Sequence, residues 1–346
     1  METLGYCPVC QCKDRTPLHG VLTDRLFHCA PGDWQLHTCS NCQVAYLDPR
    51  PTPSSIGRAY STYFTHTEGA TQNATAPPLK VTLSQRTQQF VKACLNSYRN
   101  ARWQMQLHPS NQLGRIGVAL MWPLRNLVIT HMRHLPKRPP RPGARLLDVG
   151  CGNGAFLAMA KAAGWQVQGI DFDPQAVAAA RSRGLDVICG GLDQILEQEG
   201  TYDCITCSHV IEHVHAPRHW ITQMHALLRV GGRLWLQTPN ISSRGHARFG
   251  PDWRGLEPPR HLVLFTPDSL SKLLEESGFT AKLRNIPIIM ALSAHKASHA
   301  LANGQPPGTK ARWPYYLSYT TWMDVMRQTL KIQRAEFITI EAVRVE

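Results

Sequence analysis

The hydrophobic rhythm of the chain changes at Gly143. Beyond it, short apolar runs alternate with segments of helical period. Arg145–Val149, Val167–Ile170, Val187–Cys189, Cys204–Cys207 and Leu234–Gln237 have the length and continuity of buried strands. Residues 155–163 form an amphipathic helix closed by Gly164. Pro174 and Pro217 open two more, at the first helical position, where proline is tolerated because that N–H has no partner. Gly184 and Gly231-Gly232 supply their stops. Thr266-Pro267 begins a helix ending near Gly278, and the β-branched run 337–345 reads as a final strand. Strand–helix alternation of this kind specifies an α/β fold, a parallel sheet with helices on both faces.

Upstream of Gly143 the pattern is different, and three domains are expected. Residues 1–47 are rich in Cys, His and turn formers and read as a small metal-stapled ribbon. Residues 48–142 read as a linker and helical cover, and 143–346 as the α/β core. The linker begins with a proline-rich exit, Leu47–Pro53, followed by Ile56, Tyr60, Tyr63 and Phe64 at roughly helical spacing. Thr67–Pro78 is polar and reads as a flexible loop. From Ser84 to Leu135 the period is helical but irregular, with Trp103, Met105, Leu107, Leu120, Met121 and Trp122 available for burial. No internal repeat is present.

Charge and cysteine content narrow the partners and the compartment. The 346 residues carry a formal charge of +13, which permits contact with nucleic acid, acidic lipids or phosphorylated substrates. The densest basic run, Arg133–Arg145, contains four prolines, so it reads first as a stiff solvated linker and second as a phosphate-binding arm. No apolar run reads as a membrane span: Ile116–Met132 is broken by Pro123 and Arg125, and 286–294 is short. The chain reaches Cys7 without an apolar signal region, and the expected location is cytoplasmic. Eleven cysteines in that compartment point to metal or buried thiols. Cys7-x-x-Cys10 and Cys39-x-x-Cys42 form two knuckles whose four thiolates suit a structural Zn²⁺ ion, with Cys12, Cys29 and His37 as rival ligands.

The first strand-to-helix turn, Gly150-Cys151-Gly152-Asn153-Gly154, lets the backbone approach a ligand closely. Asp171, about 20 residues on, ends the second strand, where a carboxylate can accept both hydroxyls of a ribose. Glycines alone leave the ligand open, because Gly150, Gly152 and Ala155 also satisfy the nicotinamide-enzyme pattern. Asp148, the aromatic Phe172 and the segments 208–214 and 227–234 have no place in that pattern.

With LLDVGCGNGAFL, GIDFDP, YDCITCSHVIEHV and LLRVGGRLWLQTPN in this order, residues 145–240 resemble a class I methyltransferase core. The resemblance implies a Rossmann-like sheet of seven strands with the last antiparallel. It also implies S-adenosylmethionine as methyl donor, held by Asp148, Gly150, Gly152, Gly154, Asp171, Phe172 and Ser208. Asp148 then faces the cationic end of the donor and Phe172 the adenine.

Methyl transfer from a sulfonium needs an in-line nucleophile, often a hydroxyl that loses its proton. The segment after the fourth strand, which should border the reacting methyl, carries His209, Glu212 and His213. Here the chain is similar to quinone O-methyltransferases and small-RNA 2′-O-methyltransferases, in which this motif and a distant histidine can hold a divalent ion. His209 stands where those families have Glu, a change that favours a zinc- or iron-like ion over magnesium. Trp253–Pro267 resembles an acceptor-side loop of small methyltransferases, with His261 as its histidine. Glu212, His213 and His261 are then a catalytic proton relay, or ligands with His209 of a second divalent ion, or structural hydrogen-bonding groups. His215, His219 and His225 read as helix-surface residues.

A four-cysteine module ahead of such a core resembles deoxysugar C-methyltransferases and a set of ribosomal-RNA base methyltransferases. Ser208-His209-Val210 replaces the Asn/Asp-Pro-Pro-Tyr-like sequence usual in base N-methylases. The expected activity is therefore methylation of a hydroxyl, or second a carbon, of a small or carrier-linked metabolite such as a sugar, phenol or polyketide. The alternative is an RNA methyltransferase that uses the ribbon and the basic surface. A non-enzymatic donor-sensing module is a third reading, against which Glu212, His213 and His261 count.

Overall fold

The computed structural model describes residues 1–60, 83–136, 138–285, 288–309, 321, 323–324, 326–327 and 331–346. The expected anchors Tyr63 and Phe64 and the loop expected at 67–78 lie outside the described residues. The chain divides into two compact units, Met1–Tyr63 with Gly191–Glu346, and Phe64–Gly190.

The cysteine-rich end is an antiparallel meander of β1 (Arg15–Leu22), β2 (Trp34–Cys39) and β3 (Ala45–Leu47). Trp34 and Leu36 of β2 are buried while Gln35 between them is exposed, the period-2 pattern of a one-sided sheet. The β1–β2 register slips twice between Pro17 and Leu22, where proline has no N–H for the ladder.

Residues 64–190 begin, where described, with three helices: α1 (Leu83–Trp103), α2 (Gln112–Leu120) and α3 (Trp122–His131). They lie where the irregular helical period runs, and Trp103 and Met105 are buried. Leu120 and Met121 are not; they are 80% and 54% exposed. The face of α2 that packs against α1 is the one bearing Gly114 and Val118, which leaves Leu120 on the outside. There follow β4 (Arg145–Val149), α4 (Ala155–Ala162), β5 (Gln166–Asp171), α5 (Pro174–Ser182) and β6 (Val187–Cys189). The three strands are parallel in the order β4-β5-β6. Leu146–Val149 is buried without alternation, as expected of a strand covered on both faces.

The remaining elements are β7 (Tyr202–Ser208), α6 (Pro217–Leu227), β8 (Leu228–Pro239), α7 (Arg244–Phe249), β9 (Val263–Leu264), α8 (Pro267–Glu275), β10 (Phe279–Leu283), α9 (Ile288–Ala302) and β11 (Phe337–Arg344). β7 and β8 are parallel, and β11 runs antiparallel to both β8 and β10. The strand order in this unit is β10-β11-β8-β7. With β4, β5 and β6 of the other unit, the α/β class has its seven strands, and the last, β11, is the reversed one. Two local expectations change. β10 carries no continuous apolar run; Phe279, Ala281 and Leu283 alternate with Thr280 and Lys282, the period of a one-sided strand. Gly231-Gly232 lies inside β8, not at a helix end: α6 stops at Leu227, and Gly231 kinks the strand with φ +73 where the β7–β8 register shifts. Among the described residues no helix is long and apolar enough to cross a membrane.

β9 pairs with β3, with Tyr46 opposite Val263, so the Trp253–Pro267 loop supplies the fourth strand of the N-terminal sheet. The proline-rich exit is buried instead of free: Asp48 and Arg50 are almost wholly enclosed, and Arg50 donates to the His215 carbonyl at 3.0 Å. Arg260 completes the junction. Its fully buried guanidinium bonds Asp24 (2.7 Å), Glu257 (3.0 Å) and the Ala59 carbonyl (3.0 Å), and lies over the Phe27 ring at 4.3 Å. Asp24 in turn accepts backbone N–H groups of Phe27, Cys29 and Ala30.

Removing one partner of such a pair leaves a buried charge unmatched. Arg260→Gln is expected to lose about 3–5 kcal/mol of stability in denaturant unfolding. Burial works against ionisation of Asp24, but the Arg260 contacts and the backbone N–H groups outweigh it and hold the carboxyl well below its ordinary range. A carboxylate lowered on folding stabilises above its unfolded pKa and loses that stabilisation as pH falls through the folded value. The gap in Tm between wild type and Asp24→Asn should therefore narrow below about pH 4. A gap that stayed constant down to pH 2 would show that the pair contributes nothing.

Candidate active site

The glycine turn closes β4 onto α4. Gly150, Gly152 and Gly154 all have positive φ, at 74°, 54° and 75°. The position of a Cβ on Gly152 has no atom within 4 Å, so the backbone there borders open space. On Gly154 a Cβ would stand 2.5 Å from Leu185 and 3.0 Å from Ala180, so this glycine serves close packing against α5. Asp171 accepts the Gly152 N–H at 2.8 Å and the Asp173 N–H at 2.9 Å, which fastens the turn to the end of β5. Burial raises the Asp171 carboxyl above its usual pKa despite those bonds. Asp148 is buried on β4, and the Phe172 ring is 75% exposed. The turn thus brings together an open backbone edge, an acid at each of two strand ends and an unpacked aromatic. That cradle fits a nucleoside carrying a positive charge. Ser208 lies at the end of β7, opposite Gln237, directly before His209.

A second cluster forms where the 3₁₀ turn Ile211–His213 meets the Trp253–Pro267 loop. The Leu262 N–H donates to the Glu212 carbonyl at 2.7 Å, holding the two segments together. Glu212 is completely buried, with Thr238 donating to one carboxylate oxygen at 2.9 Å and His209 Nδ1 3.3 Å from the other. Burial would raise its pKa, yet the His209 bond and the surrounding imidazoles hold it low and ionised. His261 Nδ1 lies 2.7 Å from the Gly255 carbonyl. A carbonyl only accepts, so Nδ1 carries the proton and the Nε2 lone pair is left available. That Nε2 stands 3.7 Å from Glu257 and 4.0 Å from Glu212. Burial pushes the His261 pKa down to about 4, leaving the ring neutral near pH 7.

His213 is arranged in the same way. Its Nδ1 lies 2.9 Å from the Arg260 carbonyl and 2.9 Å from the Tyr60 hydroxyl, which again orients Nε2. One ligand atom from each of Glu212, His213 and His261 falls within a 4.8 Å cluster. His209 stands outside it, with its Nδ1 on Glu212 and its ring edge-on to Phe337. Of the other histidines, His219 is exposed as expected, whereas His215 is half-buried on the Pro51 carbonyl and His225 is half-buried against Phe279.

Three residues at this cluster escaped the sequence reading: Tyr60, Glu257 and Thr238. Glu257 had a signal, since it precedes Arg260 and His261 by three and four residues, and it touches both. Burial would raise Glu257, but His261, Arg254 and Arg260 hold it at about 2. Tyr60 had no local signal, because its partner lies 153 residues away.

The two cysteine knuckles converge. Cys7 and Cys42 have their sulfurs 3.6 Å apart, Cys10 and Cys39 3.4 Å, and all four lie within 4.8 Å of one another. Four sulfurs at about 2.3 Å from a tetrahedral zinc ion stand about 3.8 Å apart, so the set fits. The rivals point elsewhere: Cys12 to the Asp14 carbonyl, Cys29 to the Ala59 carbonyl beside Arg260, and His37 is not in the cluster.

Residues 125–282 match the family described as a methyltransferase domain. The chain is 36% identical over 125 residues to a ubiquinone biosynthesis O-methyltransferase of Xanthomonas campestris, covering 34% of this chain and 52% of that protein. It is 35% identical over 125 residues to the protein of the same description from Xylella fastidiosa, covering 34% and 51%. The chain thus spans about half the length of the curated relatives it matches. A solved S-adenosylmethionine dependent methyltransferase from Mesorhizobium loti superposes with a TM-score of 0.42 at 18% identity, covering 63% of this chain and 98% of that one.

The two glycines of the turn should respond differently to a methyl group. Gly154→Ala combines left-handed strain with a clash and should cost about 2–4 kcal/mol. Gly152→Ala meets no neighbour and should cost about 1 kcal/mol. Thermal unfolding of both variants checks the order, and equal losses would refute the packing argument.

Proposed function

We propose, for a chain whose residues 125–282 form a methyltransferase domain, that it methylates a hydroxyl of a small or carrier-linked acceptor with S-adenosylmethionine as donor. The observation that carries this reading is the buried His261, whose Nδ1 is bonded to a carbonyl and whose Nε2 lies beside two carboxylates. Asp148, Gly150, Gly152, Gly154, Asp171, Phe172 and Ser208 are the proposed donor-binding residues. Asp171 uses two acceptor positions on Gly152 and Asp173 and retains others for ribose hydroxyls. The bound donor supplies an electrophilic methyl group on a sulfonium. His261 Nε2 takes the acceptor's hydroxyl proton as the oxygen becomes nucleophilic, and ionised Glu212 and Glu257 stabilise the resulting imidazolium. His213, held by Tyr60 and Arg260, positions the acceptor-side loop and completes the relay. The description shared by the relatives from Xanthomonas and Xylella supports a phenolic ring among candidate acceptors and favours a small molecule over RNA.

A second reading of the same residues has Glu212, His213 and His261 as ligands of a divalent ion. Nδ1–H groups fixed by carbonyls are the usual support of metal-bound imidazoles, and a two-nitrogen, one-oxygen set suits zinc or iron over magnesium. Cys7, Cys10, Cys39 and Cys42 are proposed to hold a separate, structural zinc ion.

His261→Ala should lower kcat at least about a hundredfold while leaving the affinity for S-adenosylhomocysteine within about twofold. Wild-type turnover should fall as pH drops through about 4, where His261 becomes protonated and can no longer accept. Unchanged turnover in the alanine variant would remove His261 from the chemistry. Metal analysis separates the two readings: one zinc per chain, lost in Cys39→Ser, fits the relay. A second ion that is lost in His261→Ala fits the metal site.

A further inference from the structure

The positive charge of the chain is concentrated in one stretch. Residues 69–147 contain no Asp or Glu and twelve of the 37 Lys and Arg residues, while the rest of the chain is nearly balanced, with 25 cations against 24 acids. Arg86, Lys92, Arg102, Arg115, Arg138 and Arg141 are exposed among its described residues.

The same stretch carries the exposed apolar side chains of α2. Leu113, Ile116 and Leu120 are 81%, 55% and 80% exposed, and Met121, at the end of the helix, is 54% exposed. Positions i, i+3 and i+7 lie on one helix face. The opposite face is the packed one: Val118 is buried, and Gly114 approaches Cys94 of α1 so closely that a Cβ would stand 2.3 Å from its sulfur. Asn111 caps the helix through the N–H groups of Leu113 and Gly114, which fixes where it starts. An ordered helix with three outward aliphatic residues in the middle of an acid-free segment is costly to leave in water.

We propose that this face of α2 docks on an anionic lipid surface. Leu113, Ile116, Leu120 and Met121 enter the headgroup boundary, and exposed cations of the same acid-free stretch meet lipid phosphates. Interfacial helices combine an apolar face with basic flanks in this way, and they lie on a bilayer without crossing it. No helix among the described residues could cross one. A second copy of the chain fits the surface less well, because pairing the face with itself would bring two acid-free basic segments together. RNA would use the cations but gives the exposed leucines and isoleucine no partner, since bases stack on aromatic and guanidinium planes. The inference does not rest on the methyl-transfer reading.

The full chain should co-float with vesicles of equal parts phosphatidylglycerol and phosphatidylcholine at 0.1 M salt, and at least tenfold more weakly with phosphatidylcholine alone. Raising salt to 0.5 M should weaken the anionic binding, because screening acts on the charged contacts. The double variant Leu113→Asp/Leu120→Asp should bind at least tenfold less while keeping the wild-type Tm and zinc content, both residues being exposed. Arg115→Gln/Arg138→Gln, which leaves the apolar residues in place, should weaken anionic binding severalfold and keep the same Tm. Failure to bind the anionic vesicles overturns the proposal, as does full binding by the leucine variant. A dimer in light scattering that this variant dissolves, or RNA binding without vesicle binding, would likewise overturn it in favour of a second copy or of RNA.

Discussion

A guanidinium with no access to water must be matched on every side, and the way Arg260 is matched organises the first unit. Its partners come from three separate places in the chain: Asp24 from the cysteine-rich end, Ala59 from the segment beyond it, and Glu257 from its own loop. An unpaired charge at that depth would be prohibitively unfavourable, so the three segments must assemble together or not at all. Asp24 is itself prepared for the arginine, because the loop that follows it turns its N–H groups inward. The β3–β9 ladder runs alongside, with the Leu47 N–H on the Leu262 carbonyl. The cysteine module is therefore continuous with the Trp253–Pro267 loop, and its four clustered thiols adjoin a sheet that includes β9.

That continuity explains how His261 is held. The residue lies between Arg260, fixed through its side chain, and Leu262, fixed through its backbone to Glu212. Its Nδ1 proton is taken by a carbonyl of the same loop, so the ring has one tautomer and one orientation. Glu257 links two neighbours in the loop, since one carboxylate oxygen faces Arg260 and the other approaches His261. The Arg260 ion pair and the His261 ring thus share a carboxylate.

Charge is segregated along the chain instead of spread over it. The acid-free stretch contains α2, whose outer face stays apolar, whereas Asp24 and Glu257 of the first unit sit in buried pairs with Arg260. Net charge by itself therefore says little about what the chain binds. What matters is whether the cation-rich stretch also presents an apolar face that needs covering.

Local chemistry was enough to reveal the strand–helix alternation, the glycine turn after β4, Asp171 at the end of β5 and the two cysteine knuckles. Each is a short segment whose residues meet neighbours close in sequence: the turn strains any side chain at three positions, and each knuckle pairs two thiols on one tight bend. The family motifs likewise pointed to Glu212, His213 and His261. Tertiary structure alone decided that Tyr60, Thr238 and Arg260 surround them, since those contacts join residues separated by 26 to 153 positions. It also decided that Leu120 faces outward, because amphipathic period tells which residues share a face but not which face finds a partner. And it decided that β9, two residues long and silent in sequence, is the strand that joins the ribbon to the loop.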